Sequence, residues 1–113
     1  VTNRLQSITL PLTCVVLGMG SDGHTASWFP QASNLAELLD PKGMALLGSS
    51  DPVTAPHQRI TLTLPTVVQA GEIILHITGE EKRRVLAQAA AEHYPIAAIT
   101  EQDTNPATIW WAP

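Results

Sequence analysis

A short apolar run that stops at a glycine-rich loop is the feature that most constrains the fold of this chain. Residues 14–17 are apolar, and three glycines fall within the next six positions. An uninterrupted apolar run predicts a buried strand, covered on both faces as in parallel sheets. Glycines after such a strand allow positive φ angles or a close approach to a ligand. Ligands of open parallel sheets bind beyond the carboxyl ends of the strands, so we expect the chemistry of the chain at this loop.

The loop holds one carboxylate and one imidazole, Asp22 and His24. Imidazole titrates near neutral pH, which suits a general base, and Asp22 lies close enough in sequence to orient it. We expect amides of the glycine loop to supply further hydrogen-bond donors. The alternative is a structural turn, in which Asp22 caps one helical turn that begins at His24. Phe29 and Pro30 are expected to hold that turn rather than to touch a substrate.

The remainder of the chain alternates predicted strands with predicted helices. Strands are predicted at 44–47, 59–64, 72–78 and 108–111, helices at 65–70 and 80–93, and a surface loop at 49–57. Gly71 is expected to end the first helix and Pro95 to stop the second. This alternation predicts one α/β domain over residues 1–113, a three-layer, parallel-rich sheet with helices on both faces.

The composition limits the binding partners and the cellular compartment that we expect for this chain. The net charge is −4 with six Lys and Arg residues, so we expect neither a nucleic acid nor an anionic membrane as partner. No apolar stretch approaches the roughly 20 residues of a membrane span. The single cysteine, Cys14, is expected to be buried in the first strand of a protein of the reducing cytoplasm. No histidine has metal-ligand spacing with another histidine or with Cys14, and we expect neither a metal nor another cofactor.

Four segments, in this order, resemble the 6-phosphogluconolactonase family. They are Leu17-Gly18-Met19-Gly20-x-Asp22-Gly23-His24-Thr25-Ala26-Ser27-x-Phe29-Pro30, Arg59-Ile60-Thr61-Leu62-Thr63-Leu64-Pro65, Thr78-Gly79-Glu80-Glu81-Lys82-Arg83 and the aromatic end Ile109-Trp110-Trp111. The family shares its fold with glucosamine-6-phosphate deaminases, which carry a similar Asp-Gly-His loop. The residues that follow His24 favour the lactonases.

The resemblance implies hydrolysis of 6-phospho-D-glucono-1,5-lactone to 6-phosphogluconate, a step of the oxidative pentose phosphate pathway. It implies that His24 activates the water and that Asp22 supports it. It assigns Lys82 to the substrate phosphate and Arg59 to phosphate or sugar oxygens, and we expect Gly20 and Gly23 to contact substrate as well. The alternatives are a deaminase or isomerase, in which Asp22 moves a proton, and a non-catalytic module that binds sugar phosphates.

The resemblance covers roughly residues 12–112, whereas family members are about twice as long. It therefore implies the C-terminal half of a sugar-phosphate isomerase/CoA-transferase-like fold, without the N-terminal half and its phosphate-binding loop. A parallel sheet that lacks strands exposes an edge and an apolar face. We accordingly expect a homodimer or pairing with the missing half, and a fragment that is incomplete as an enzyme on its own.

Overall fold

The computed structural model describes residues 7–51 and 57–113, together with Arg4. This part of the chain contains a three-stranded parallel sheet and a separate two-stranded antiparallel sheet. In chain order the elements are β1 (Cys14–Leu17), α1 (Leu35–Leu38), β2 (Leu47–Ser50), β3 (Arg59–Leu62), α2 (Leu64–Val68), β4 (Glu72–Thr78), α3 (Glu80–Glu92), α4 (Ala97–Thr100) and β5 (Thr108–Ala112).

Strand β4 is the centre of the parallel sheet, with β1 on one side and β5 on the other. Leu17 at the end of β1 aligns with Leu75, and Thr78 at the end of β4 aligns with Ala112. All three strands run in the same direction, so the segments that follow β1 and β4 leave the sheet at the same edge. This arrangement allows a loop after β1 to meet a helix that begins after β4.

One face of the parallel sheet carries the hydrophobic core. Alternate side chains of β1 and β4 point to this face and are buried: Val15, Leu17, Ile73, Leu75 and Ile77. Buried or partly buried apolar side chains of α2, α3 and α4 pack against them. A strand with one covered face shows this alternation because successive side chains point to opposite sides. The predicted α/β class with a parallel sheet is confirmed.

The opposite face of the sheet is uncovered in the described chain. Val16 is 65% exposed and Trp110 is 62% exposed on this side. The core helices α2, α3 and α4 pack against the first face, so the second helical layer of the predicted three-layer sheet is not formed by the described residues. The prediction that Cys14 is buried was wrong: Cys14 is exposed because it points to the same side as Val16.

The predicted bounds of strands and helices were most accurate where the local sequence pattern was strongest. Strand β4 matches the predicted range, α3 ends one residue before the predicted end, and β3 and β5 lie where they were expected. The predicted strand at 44–47 was wrong except for Leu47, because β2 begins at Leu47 and continues through Ser50. The start of the predicted surface loop is therefore strand, and residues 52–56 of that loop lie outside the described residues.

The first predicted helix is displaced toward the N-terminus of the chain. Helix α2 spans Leu64–Val68 and has Pro65 in its first turn, as the sequence predicts. Gln69, not Gly71, is its C-terminal cap. The Gly71 N–H instead donates to the Leu12 carbonyl at 2.8 Å, which joins the segment after α2 to the start of β1. No described helix has both the length and the apolarity needed to cross a bilayer.

Candidate active site

The loop after β1 is closed on itself by short-range hydrogen bonds. The Thr25 hydroxyl donates to the Gly18 carbonyl at 2.7 Å, and the Gly20 N–H donates to the His24 carbonyl at 2.9 Å. The Gly23 N–H donates to the Gly20 carbonyl at 3.0 Å. Thr25 is 1% exposed, so the bond to Gly18 is shielded from water. The loop is therefore a fixed platform for the side chains it carries.

Two glycines of the loop are required for different physical reasons. A Cβ at Gly20 would overlap the imidazole of His24, so only glycine leaves room for that ring. Gly23 has a φ of 82° and lies directly against Tyr94, so both its conformation and its surroundings exclude a side chain. The N–H groups of both glycines donate within the loop. Their predicted contact with substrate stays a prediction.

Asp22 and His24 form a hydrogen-bonded pair. The Asp22 Oδ1 atom lies 2.5 Å from His24 Nδ1 and accepts a second bond from the His24 backbone N–H at 3.1 Å. The two side chains are 39% and 31% exposed, so the pair lies at the surface of a cleft. Burial raises the pKa of Asp22, but the hydrogen bonds from His24 and its charge outweigh that effect. The resulting pKa lies below the ordinary value of 3.8.

The ionised carboxylate determines which nitrogen of His24 is free. A carboxylate only accepts hydrogen bonds, so the proton of a neutral imidazole belongs on Nδ1, where it is donated to Asp22. The other nitrogen, Nε2, has no hydrogen-bond partner among the described residues. An imidazole in this form has a free lone pair at Nε2, as a general base requires.

The segment after His24 is a tight turn rather than the predicted helical turn. Thr25 and Trp28 form an isolated bridge, and Ala26 adopts a positive φ of 50°, which no helix permits. Trp28 is 0% exposed and its indole N–H donates to the Leu62 carbonyl at 2.9 Å. The Ser27 N–H donates to the Thr61 hydroxyl at 3.2 Å. The prediction of a helix failed because contacts with β3 override the local preference.

Lys82 joins the ends of β1 and β4. It lies in the first turn of α3, and its ammonium group donates to the Met19 carbonyl of the β1 loop. Gly79 caps this helix with a φ of 90°. Lys82 and His24 thus line one cleft of about 470 Å³, which is also lined by Gly18, Met19, Gly20, Thr25 and Ala26. The structure brings Asp22, His24, Gly20 and Lys82 together as the sequence predicts.

Arg59 reaches the site by a less direct route. It is an exposed residue at the start of β3, and its guanidinium carbon lies 5.1 Å from the ring centroid of Phe29. Phe29 in turn stacks on the His24 imidazole, with ring centroids 4.5 Å apart. Arg59 does not belong to the lining of the cleft described above. The sequence predicts only that Phe29 holds the turn after His24. Its stacking contact with the His24 imidazole was not predicted.

The described residues offer no evident metal site. No three His, Cys, Asp or Glu side chains in residues 7–51 and 57–113 come close enough together to hold a metal ion. The cleft presents the Asp22–His24 pair, the Lys82 ammonium group and backbone amides of the loop.

Comparison with known proteins gives a consistent assignment. The family described as glucosamine-6-phosphate isomerases/6-phosphogluconolactonase matches residues 2–110. A 6-phosphogluconolactonase of Mesorhizobium japonicum is 46% identical over 111 residues, covering 96% of this chain and 47% of the relative. One of Rhizobium meliloti is 41% identical over 116 residues, covering 99% of this chain and 50% of the relative.

A solved structure agrees with the sequence matches. The crystal structure of a 6-phosphogluconolactonase from Shewanella baltica superimposes with a TM-score of 0.91 at 38% identity, over 99% of this chain and 49% of the other. The chain thus spans about half the length of the relatives it matches. That it forms the C-terminal half of the family fold stays a prediction. On this match the chain belongs to the family of glucosamine-6-phosphate isomerases and 6-phosphogluconolactonases.

Proposed function

We propose that this cleft hydrolyses 6-phospho-D-glucono-1,5-lactone to 6-phosphogluconate, as one part of a folded unit that is completed by the other half of the family fold. One observation carries the proposal: His24 holds Nδ1 against Asp22 and lines the same cleft as Lys82. A base and a cation in one cleft suit a substrate with an ester carbonyl and a phosphate. The relatives named 6-phosphogluconolactonase support the same reaction.

The proposed chemistry begins with proton transfer to His24. Its Nε2 takes a proton from a water molecule while the water oxygen attacks the lactone carbonyl carbon, which yields a tetrahedral oxyanion. The carbon–ring oxygen bond then breaks, and the imidazolium returns the proton to that oxygen. One water is consumed and one carboxylic acid and one hydroxyl are formed. Asp22 keeps Nδ1–H in place and stabilises the imidazolium through the 2.5 Å contact.

Lys82 and the start of α3 are the proposed site for the phosphate. The first N–H groups of a helix have no partner within the helix and attract anions. Lys82 uses one N–H to bind the Met19 carbonyl, so its ammonium group keeps two protons for a phosphate oxygen. Glu80 and Glu81 oppose an anion in this turn, which makes the lysine charge necessary. We assign Arg59 to phosphate or sugar oxygens at the margin of the site.

A direct assay separates this proposal from its alternatives. The purified protein is given the lactone in a pH-stat, with the rate of spontaneous hydrolysis subtracted, and is given glucosamine 6-phosphate with detection of released ammonia. Acid production above the background without ammonia supports the lactonase. Ammonia release supports the deaminase. Calorimetric binding of 6-phosphogluconate without either turnover supports a binding module.

The uncovered face of the parallel sheet bears on how the site is completed. Val16 and Trp110 are 65% and 62% exposed there, and the relatives are about twice as long as this chain. We propose that the half of the family fold that this chain does not span covers this face. Sedimentation of the chain alone distinguishes this from a homodimer: a monomer supports the proposal, and a stable dimer overturns it. A cytoplasmic location stays a prediction.

A further inference from the structure

We infer that Phe29 is a positioning residue for the proposed lactonase site. Its ring fixes the plane of the His24 imidazole and at the same time seats the guanidinium group of Arg59 beside it. The inference rests on the proposed function for its consequence in catalysis. The contacts on which the inference is based involve only the side chains of Phe29, His24 and Arg59.

Phe29 is buried and contacts both candidate functional side chains. It is 4% exposed. The His24 ring is stacked on it with a centroid distance of 4.5 Å and an angle of 24° between the planes. The Arg59 guanidinium carbon lies 5.1 Å from the same centroid. A single aromatic ring therefore connects a residue of the β1 loop to a residue of the antiparallel sheet.

The stacking supplies a restraint that the Asp22 bond lacks. A hydrogen bond at Nδ1 fixes the position of that atom, but the imidazole is still able to tilt about it. A flat ring packed against the imidazole removes the tilt, because offset stacking favours nearly parallel planes. The Asp22 bond and the Phe29 stack together determine the direction of Nε2. Rigid support of this kind is what a catalytic side chain needs from the residues behind it.

The second contact of Phe29 holds a cation whose charge is available to a ligand. Arg59 has no carboxylate partner among the described residues. An arginine over an aromatic face is attracted by the ring and still presents its N–H groups at its edge. In the proposed function, this guanidinium group contacts phosphate or sugar oxygens of the lactone, while His24 faces its carbonyl carbon. Displacing Phe29 is expected to disturb both ends of that ligand at once.

The backbone supports the same arrangement. Trp28, next to Phe29, is hydrogen-bonded to the Leu62 carbonyl, and Ser27 is hydrogen-bonded to Thr61. These bonds fix the turn against β3, the strand that begins with Arg59. Phe29 is thus held in place from its own side of the chain, and it does not depend on His24 or Arg59 for its position.

The test compares Phe29→Leu, which removes the ring, with Phe29→Tyr, which retains it. Val67→Ala is the control for a loss of buried apolar volume, because Val67 is 0% exposed and belongs to α2. The first readout needs no turnover: the ring-proton resonances of His24 are recorded by NMR. We expect the ring-current shift from Phe29 to be lost in Phe29→Leu and retained in Phe29→Tyr and Val67→Ala.

The second readout is steady-state hydrolysis of the lactone. We expect Phe29→Leu to lower kcat about tenfold and to raise KM about tenfold, since small misplacements of reacting groups are costly. Phe29→Tyr should stay within about threefold of the parent protein, because the aromatic face is retained. The pH at which kcat/KM reaches half of its maximum should shift in Phe29→Leu and stay the same in Val67→Ala.

The inference is overturned if Phe29→Leu leaves the His24 resonances unshifted, or if its kinetic losses and pH profile match those of Val67→Ala. If Phe29→Leu does not fold, Phe29→Met takes its place with the same expected results. If the parent protein hydrolyses no lactone, the proposed function fails, and the NMR comparison still decides whether the Phe29 ring stacks on the His24 imidazole.

Discussion

Two neighbouring strands of the parallel sheet end at the same edge, and the chain leaves them in different ways. After β4, Gly79 turns the chain directly into the regular helix α3. After β1, the chain forms an irregular loop and a tight turn with a positive φ at Ala26. Lys82 connects the two through its bond to the Met19 carbonyl. Helix α3 is ordered by its own hydrogen bonds. After β1, the loop is closed by short-range hydrogen bonds, and the turn that follows it is held by bonds to Thr61 and Leu62.

We infer that these two segments contribute differently to the stability of the fold and to catalysis. A helix start offers backbone N–H groups in a fixed direction, which suits the binding of an anion. An irregular loop is able to hold a carboxylate, an imidazole and an aromatic ring in a geometry that no regular element provides. We therefore expect substitutions in the β1 loop to reduce activity more than stability. Substitutions at the start of α3 that leave Lys82 in place should do the reverse.

The largest effect is expected from His24→Ala. Removal of the proposed base should lower kcat/KM for the lactone by roughly 10²–10⁴-fold, the usual contribution of a general base. His24 is partly exposed, so circular dichroism should show the parent fold. His93→Asn is the matched control, because asparagine tolerates the left-handed conformation that His93 adopts after α3. Near-parent activity of His24→Ala would exclude His24 as the base.

Asp22→Asn should have the next largest effect. Loss of the carboxylate removes the charge that holds Nδ1–H and stabilises the imidazolium, and we expect kcat to fall by about 10²-fold. The variant and the parent protein are assayed at the same pH, with 6-phosphogluconate binding as a control for the integrity of the cleft. Equal values of kcat would mean that the Asp22 bond serves the loop alone.

The same carboxylate predicts a pH dependence of stability. Its pKa in the folded state lies below 3.8, so the folded state binds this proton less readily than the unfolded state. The resulting stabilisation is present above the unfolded pKa and is lost as the pH falls through the lower folded value. The free energies of unfolding of the parent protein and of Asp22→Asn, measured with urea, should therefore differ at pH 6 and converge at the acid end. A difference in this free energy that persists at acid pH would contradict the lowered pKa of Asp22 as its cause.

Two glycines of the β1 loop provide a sharper contrast. The Cβ of Gly20→Ala would overlap the His24 ring, whereas a Cβ at Gly18 meets no heavy atom within 4 Å. We expect Gly20→Ala to lower kcat/KM by roughly tenfold or more, because the imidazole must move. Gly18→Ala should stay close to the parent protein. Equal activity of the two variants would show that the position of His24 is not critical.

The smallest effect on activity is expected from Gly79→Ala, at the start of α3. A Cβ at Gly79 has free space, but its φ of 90° and ψ of 154° belong to a region that favours glycine strongly. The substitution should lower the free energy of unfolding by about 1–3 kcal/mol. Denaturant titration measures this loss, and kcat should change by less than about twofold. A large loss of kcat without a loss of stability would reverse the proposed division between the two segments.

The same comparison explains what the sequence could and could not predict. Strand β4 and helix α3 follow from local patterns: an apolar strand, a glycine and then a run of helix-forming residues. The turn after His24 does not, because Trp28 and Ser27 are held by Leu62 and Thr61, far away in the chain. No local pattern predicts such contacts.

Prediction of the site shows the same limit. The motif around His24 indicated Asp22 and His24, and the segment Thr78–Arg83 indicated Lys82. The structure brings these three residues together. The contact of Phe29 with Arg59 depends on how the antiparallel sheet packs against the β1 loop, so no local sequence pattern indicates it. The apolar run at 44–47 was misleading for a related reason. Pairing with β3 sets the start of β2 at Leu47 and leaves Met44 95% exposed.

The central claim is that the loop after β1 holds His24 as a base with its proton on Nδ1 and a free Nε2. Nitrogen-15 NMR of the neutral form of the imidazole tests this proposal, since protonated and unprotonated ring nitrogens resonate in separate ranges. We expect a protonated Nδ1 and an unprotonated Nε2, and a weaker preference for this form in Asp22→Asn. A neutral His24 with its proton on Nε2 would exclude the proposed role of Asp22 and His24.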